Sequence, residues 1–140
     1  RRGARILRAA PDPMMRSVGV VIGVGAAGAA GALLRWGISA WIEHRFPGFP
    51  WGTLVVNVAG SFLLGIVFAL LAERSAASPG LRVIVATGFL GAFTTFSTFS
   101  LDTVRLVQDG SIGPAAGNVA AGLALGLLGV WLGLSLGRAL

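Results

Sequence analysis

Four stretches of the chain are continuously apolar: about Val18 to Ile42, Trp51 to Ala72, Val83 to Val107 and Pro114 to Gly137. Each approaches or exceeds the ~20 residues that an α-helix needs to cross ~30 Å of hydrocarbon. None alternates strictly between apolar and polar positions, which argues against barrel strands. Turn-rich "FPGFP" (Phe46 to Pro50) separates the first two stretches, and "SPG" (Ser78 to Gly80) precedes the third. Trp36, Trp41 and Trp51 cluster at the first connection, where an interfacial aromatic belt would lie. The pattern predicts an all-α membrane protein of four transmembrane helices, with spans near 18–42, 51–72, 83–107 and 114–137.

Composition agrees with that reading. The chain has 140 residues, 55% hydrophobic and only 11% charged, with a mean hydropathy of +0.84. It has the length of one domain, and no ordinary soluble domain needs so apolar a composition. Without cysteine there is no disulfide framework and no thiolate nucleophile or metal ligand. The net charge of +6 comes entirely from arginine, and five of the eleven arginines lie in the first sixteen positions. The others sit near the ends of apolar runs, where positive charge anchors a membrane protein. Nucleic-acid binding does not fit so apolar a chain. Residues 1–16 read as a basic arm broken by Pro11 and Pro13, either disordered or an extension upstream of a start at Met14 or Met15. Residues 17–140 form the transmembrane domain.

With four spans, the N-terminus, the second connection and the C-terminus share one side, which holds Arg16, Arg74, Arg82 and Arg138. The opposite side holds Arg45 and Arg105, and Arg35 if it snorkels outward. That bias is weak enough for insertion in both orientations, and the arm's arginines tip it toward an inside N-terminus. In the last span Gly122, Gly126, Gly129, Gly133 and Gly137 recur every three or four residues, a glycine face that lets another backbone approach. Most of these glycines read as packing within one chain. Four helices enclose too little space for a pore, however, so part of the surface is expected to serve a homodimer.

Polar residues inside the spans point to chemistry. Asn57 lies in "GTLVVNVAGS", and Thr94, Thr95, Ser97, Thr98 and Ser100 crowd into "GFLGAFTTFSTFS". Any one hydroxyl could simply bond back to a carbonyl one turn earlier. So many together, beside Gly88 and Gly91, predict a helix interrupted near mid-membrane, with freed carbonyl oxygens that water, neighbours or a cation must satisfy. Phe93, Phe96 and Phe99 are spaced by three. Phenyl rings carry a positive edge, so rings alternating with hydroxyl and amide donors suit a dehydrated anion and suit a cation poorly. No nucleophile–base pair, paired carboxylates or phosphate loop argues for an enzyme.

The segments "GALLRW" (Gly31 to Trp36), "GTLVVNVAGSFLLG" (Gly52 to Gly65) and "GFLGAFTTFSTFS" (Gly88 to Ser100) closely resemble the Fluc/CrcB fluoride channels, over essentially the whole chain from Met14. The resemblance implies an antiparallel, dual-topology homodimer in the cell membrane, with two fluoride pathways and passive fluoride export. Phe96 and Phe99 match the family's pore phenylalanines, Asn57 its pore asparagine, and Ser97 and Thr98, with Thr95, its polar track. The family's central sodium ion would fall to the backbone carbonyls of Gly91 and Thr94 of both subunits. Three positions depart from the pattern: Asp102 where Glu is usual, Asn118 and Gly122 where Tyr and Ser are frequent, and Ala92 where a second Gly is common. Arg35 and Asp102 remain as intramembrane charges. They form an ion pair, or each snorkels and Arg35 draws anions toward a vestibule. A small multidrug-type proton antiporter would need a buried acid in its first helix, and Val18 to Trp41 contains none. A non-transporting lipid-packing protein would leave Asn57 and the hydroxyl–phenyl track unexplained.

Overall fold

The computed structural model describes residues 13–73 and 78–140. Helix α1 spans Pro13–Arg45 and α2 spans Trp51–Val67, the latter widening into a π-helical turn at Phe68–Glu73. The third stretch is built from pieces. Short α3 (Pro79–Val83) leads into a π-helical segment at Ile84–Leu90, then α4 (Gly91–Phe93) and α5 (Phe96–Gln108). Helix α6 covers Ile112–Ala139. Four helical stretches are long and apolar enough to cross a membrane, 17–45, 51–71, 79–108 and 112–139. There is no strand among the described residues.

Boundaries follow local chemistry. Proline fits the first position of α1, where its missing N–H would lack a partner anyway. Residues 13–16, which the sequence assigned to the arm, therefore open α1, while 1–12 and Arg74 lie outside the described residues. Ser78 caps α3 by accepting from Leu81 N–H at 3.3 Å, with Pro79 in the first turn. Helix α5 stops at Gly110, whose φ of +75° suits a residue without Cβ. There Ser111 N–H reaches back to the Leu106 carbonyl at 2.8 Å.

Glycines set how the helices meet. Gly129, Gly133 and Gly137 of α6 lie against the Val58, Phe62 and Ile66 carbonyls of α2, and Gly65 returns the contact at Val130. The two helices thus run parallel in one register, backbone against backbone. A second parallel pair forms where Gly28 and Gly31 of α1 approach Gly88 and Phe89. The glycine face of α6 is therefore used within the chain. Trp36 and Trp41 are exposed, as a belt at the lipid interface requires.

Candidate functional site

Thr94 (φ −93°, ψ 158°) and Thr95 (φ −151°, ψ 116°) are extended, and the helix resumes at Phe96. Two extended residues leave peptide groups unpaired, and in an apolar layer each must find a partner. Asn57 of α2 supplies both for Thr95. Its Nδ2 donates to the Thr95 carbonyl at 2.9 Å, and its Oδ1 accepts from the Thr95 N–H at 2.7 Å. A side-chain amide is the one common group that can mimic a neighbouring strand in this way. The amide expected as a free pore donor is thus first a clamp on the interruption, with one N–H left over.

The hydroxyls divide into two sets. Thr94 Oγ1 donates to the Leu90 carbonyl at 3.0 Å, and Ser100 Oγ to the Phe96 carbonyl at 2.9 Å. These are backbone bonds one turn back, the ordinary use of such residues. Thr95 behaves differently: its Oγ1 caps α5 by accepting from Thr98 N–H at 3.1 Å. That oxygen also donates to Thr98 Oγ1 at 3.0 Å and lies 3.2 Å from Ser97 Oγ. Thr95, Ser97 and Thr98 therefore form one hydroxyl cluster at the start of α5.

Two cavities meet at Thr95. The first, of about 230 Å³, is lined by Leu54, Asn57, Thr94, Thr95, Phe96, Phe99, Gly122 and Leu123. Within it the Phe96 and Phe99 rings lie 5.7 Å apart and tilted by 39°. Phe96 is 76% exposed on the single chain. The second cavity, of about 300 Å³, is lined by Arg35, Trp36, Ser39, Ala40, Glu43, Thr53, Thr95 and Thr98. Arg35 Nε is buried there without a hydrogen-bond partner.

Of the two readings of Arg35 and Asp102, the ion pair does not form. Asp102 instead accepts from Thr53 Oγ1 at 2.8 Å. Thr53, almost fully buried on α2, also lines the cavity that Arg35 borders. It stood within a motif noted in the sequence, and the only signal for its role was a hydroxyl in an apolar run. Thr103 also went unnoticed. Its Oγ1 donates to the Phe99 carbonyl at 2.8 Å and accepts from Asn118 Nδ2 at 2.9 Å. The ion pair found among the described residues joins Arg138 to Glu73 at 2.6 Å, and nothing in the sequence pattern singled it out.

Asn57, Thr95, Phe96, Phe99, Ser97 and Thr98 thus come together around one interruption. Gly91 and Thr94 border it, Arg35 opens on its far side, and Asp102 is held by Thr53. Residues 22–134 match the family model described as CrcB-like protein, Camphor Resistance (CrcB). The chain is similar to the fluoride-specific ion channel FluC 1 of Symbiobacterium thermophilum, 49% identical over 116 residues that cover 81% of this chain and 94% of the relative. It is 45% identical over 118 residues to the fluoride-specific ion channel FluC of Rhizobium meliloti, covering 84% and 94%. A FluC of Rhizobium leguminosarum bv. trifolii is 44% identical over 128 residues, covering 91% of this chain and 99% of the relative.

Proposed function

The chain belongs to the CrcB-like family, and from that premise we propose that it is a fluoride-selective channel, not an enzyme, that lets fluoride leave the cell passively. The observation that carries this reading is the junction of Asn57, the Thr95–Ser97–Thr98 hydroxyls and the Phe96–Phe99 ring pair at one interruption. We read that interruption as a break of the third membrane helix near mid-membrane.

Fluoride is small and tightly hydrated, so it enters a narrow path only where donors replace its water. The second N–H of Asn57 and the hydroxyls of Ser97 and Thr98 serve as those donors. The ring edges of Phe96 and Phe99 add a weaker positive surface that does not bind too tightly. Larger halides gain less from the same donors and fit worse. Arg35 lines the adjoining cavity, and its charge attracts anions to the mouth.

The working unit in this reading is an antiparallel homodimer with two pathways, and the 76% exposure of Phe96 on one chain supports a covering second copy. The sodium ion that the family implies fits the donor set. In a continuous helix the Gly91 carbonyl would accept the Thr95 N–H, and the Thr94 carbonyl the Thr98 N–H. Here those two N–H groups turn to Asn57 Oδ1 and Thr95 Oγ1. Carbonyl oxygens relieved of their helical donors are hard ligands suited to an alkali cation. Bound by Gly91 and Thr94 of both subunits, the ion would supply the fixed positive charge that the anion path otherwise lacks.

The test is halide release from liposomes containing the purified protein, fluoride against chloride, with a potassium shunt. Fast fluoride release with negligible chloride release is expected. Absence of fluoride release from a folded dimer would overturn the reading.

A further inference from the structure

Phe99 is braced at its backbone and seated at its ring by the same helix. Its carbonyl accepts from Thr103 Oγ1, which in turn accepts from Asn118 Nδ2 of α6, a residue with no exposed surface. One turn further along α6, the ring lies over Gly122. A Cβ built on Gly122 would stand 2.8 Å from Phe99 Cε2 and 3.4 Å from Cδ2 and Cζ. The first distance is closer than side-chain carbons approach one another, so the place of a side chain at 122 is already filled by the ring. The ring and Gly122 both line the cavity of about 230 Å³ shared with Asn57, Thr95 and Phe96.

We propose that Gly122 is a positioning residue for the anion path: by carrying no side chain it seats the Phe99 ring against α6 and so sets the opening between Phe99 and Phe96. This rests on the fluoride-channel reading above. Because the Phe99 carbonyl is tied through Thr103 to Asn118, a Cβ at 122 must be accommodated by turning the ring. The open space beside the ring is that cavity, which Asn57 and Phe96 also line, so the ring turns within the path. Gly126 supplies the contrast. It lies four residues further along α6, yet a Cβ there would meet only Ser61 Oγ at 3.8 Å, an ordinary contact. Both glycines gain the same helix propensity when changed to alanine.

The experiment compares fluoride and chloride release from liposomes for the parent chain, Gly122→Ala and Gly126→Ala, with a thermal midpoint for each. Gly126→Ala should release fluoride as the parent does, at a midpoint equal to or above the parent's. Gly122→Ala should release fluoride about tenfold more slowly at a nearly unchanged midpoint, the scale of a ring forced off its rotamer. Equal fluoride release from Gly122→Ala and the parent would overturn the proposal while leaving the channel reading intact. A parent that releases no fluoride would overturn the channel reading, and this role with it. If Gly122→Ala does not fold, Phe99→Leu opens the place by removing the ring. Folded protein should then return in the double variant, and failure of that rescue would overturn the contact on which the proposal stands.

Discussion

The α2–α6 seam and the junction between α4 and α5 are both built from small residues in an apolar layer, yet they hold together by opposite means. Along the seam, Gly65, Gly129, Gly133 and Gly137 remove side chains so that two complete helices touch through their backbones. Short of the last turn of α6, the main-chain groups there are paired within their own helices, and contact adds only dispersion and close packing. At the junction the helix is incomplete. Thr94 and Thr95 are extended, and order comes from side chains that replace missing backbone partners. A seam of this kind tolerates no added volume, whereas the junction tolerates no lost hydrogen bond. The ion path in the proposed channel belongs to the second kind, because only an incomplete helix has peptide groups and hydroxyls to spare.

Substitutions should separate the two regions by sign and size. The largest effect is expected from Gly133→Leu. A Cβ at this position would overlap the Phe62 carbonyl, a backbone atom that cannot move aside without shifting α2. Overpacking of this kind costs about 3 kcal/mol or more, so folded protein should be lost on size-exclusion chromatography in detergent. Recovery of a folded, parent-like species would mean the seam is looser than its register implies.

Next comes Asn57→Ala, which adds no volume and strips both partners from Thr95. Buried groups left unpaired should cost about 2 kcal/mol in total. The thermal midpoint should fall and fluoride release should drop with it. Asn57→Asp sharpens the point: its carboxylate keeps an acceptor for the Thr95 N–H but loses the donor to the Thr95 carbonyl. A parent-like midpoint for Asn57→Ala would show that water satisfies the junction as well as the amide does.

The sequence made one of these regions far more legible than the other. Four membrane-length runs are visible because burial in lipid demands uninterrupted apolar residues, and the helices follow them with ends shifted by a few positions. The glycine periodicity of α6 could be read directly, but not its partner, since spacing gives a face and never says what covers it. The crowding of Thr94 to Ser100 pointed to an anomaly in the third helix. That Asn57 would bond both sides of the Thr95 peptide was not readable, because the pairing is set by the mutual rotation of α2 and α5. The same rotation decided between the two readings of Arg35 and Asp102. Thr53 on α2 reaches the carboxylate, and the ion-pair reading falls.

Thr53→Val tests that substitution of partners at smaller scale. Valine keeps the shape of the buried threonine and removes only the donor to Asp102. Asp102 is half-exposed and can recruit water, so the loss should be about 1 kcal/mol in the thermal midpoint. An unchanged midpoint would mean the bond matters for neither fold nor position. Phe96→Ile breaks no hydrogen bond and keeps an apolar side chain, so within the single chain, where the ring is 76% exposed, it should cost still less, within about 0.5 kcal/mol. Its effect belongs to transport, where loss of the ring edge should suppress fluoride release from liposomes while the fold survives. Parent-like release from Phe96→Ile would remove the ring from the path, whatever happened at Asn57.

The smallest effect is expected where the seam ends. Arg138 of α6 holds Glu73, in the π-helical turn that follows α2, through two bonds of 2.6 and 2.9 Å. The hydrogen bond from Arg138, reinforced by its charge, holds the Glu73 carboxyl below its ordinary value. A carboxyl whose folded-state value is depressed contributes stability above its unfolded value, and that contribution fades as pH falls through the folded value. The contribution should therefore be constant from neutral pH down to the usual carboxylate range and vanish in stronger acid. Both side chains are exposed, so screening keeps it small. Glu73→Gln supplies the measurement. Its thermal midpoint should lie slightly below the parent's at neutral pH, and the two should converge on acidification or in high salt. If the gap persists in acid, α6 is held to α2 at this end by packing alone, and the seam needs no charge to close it.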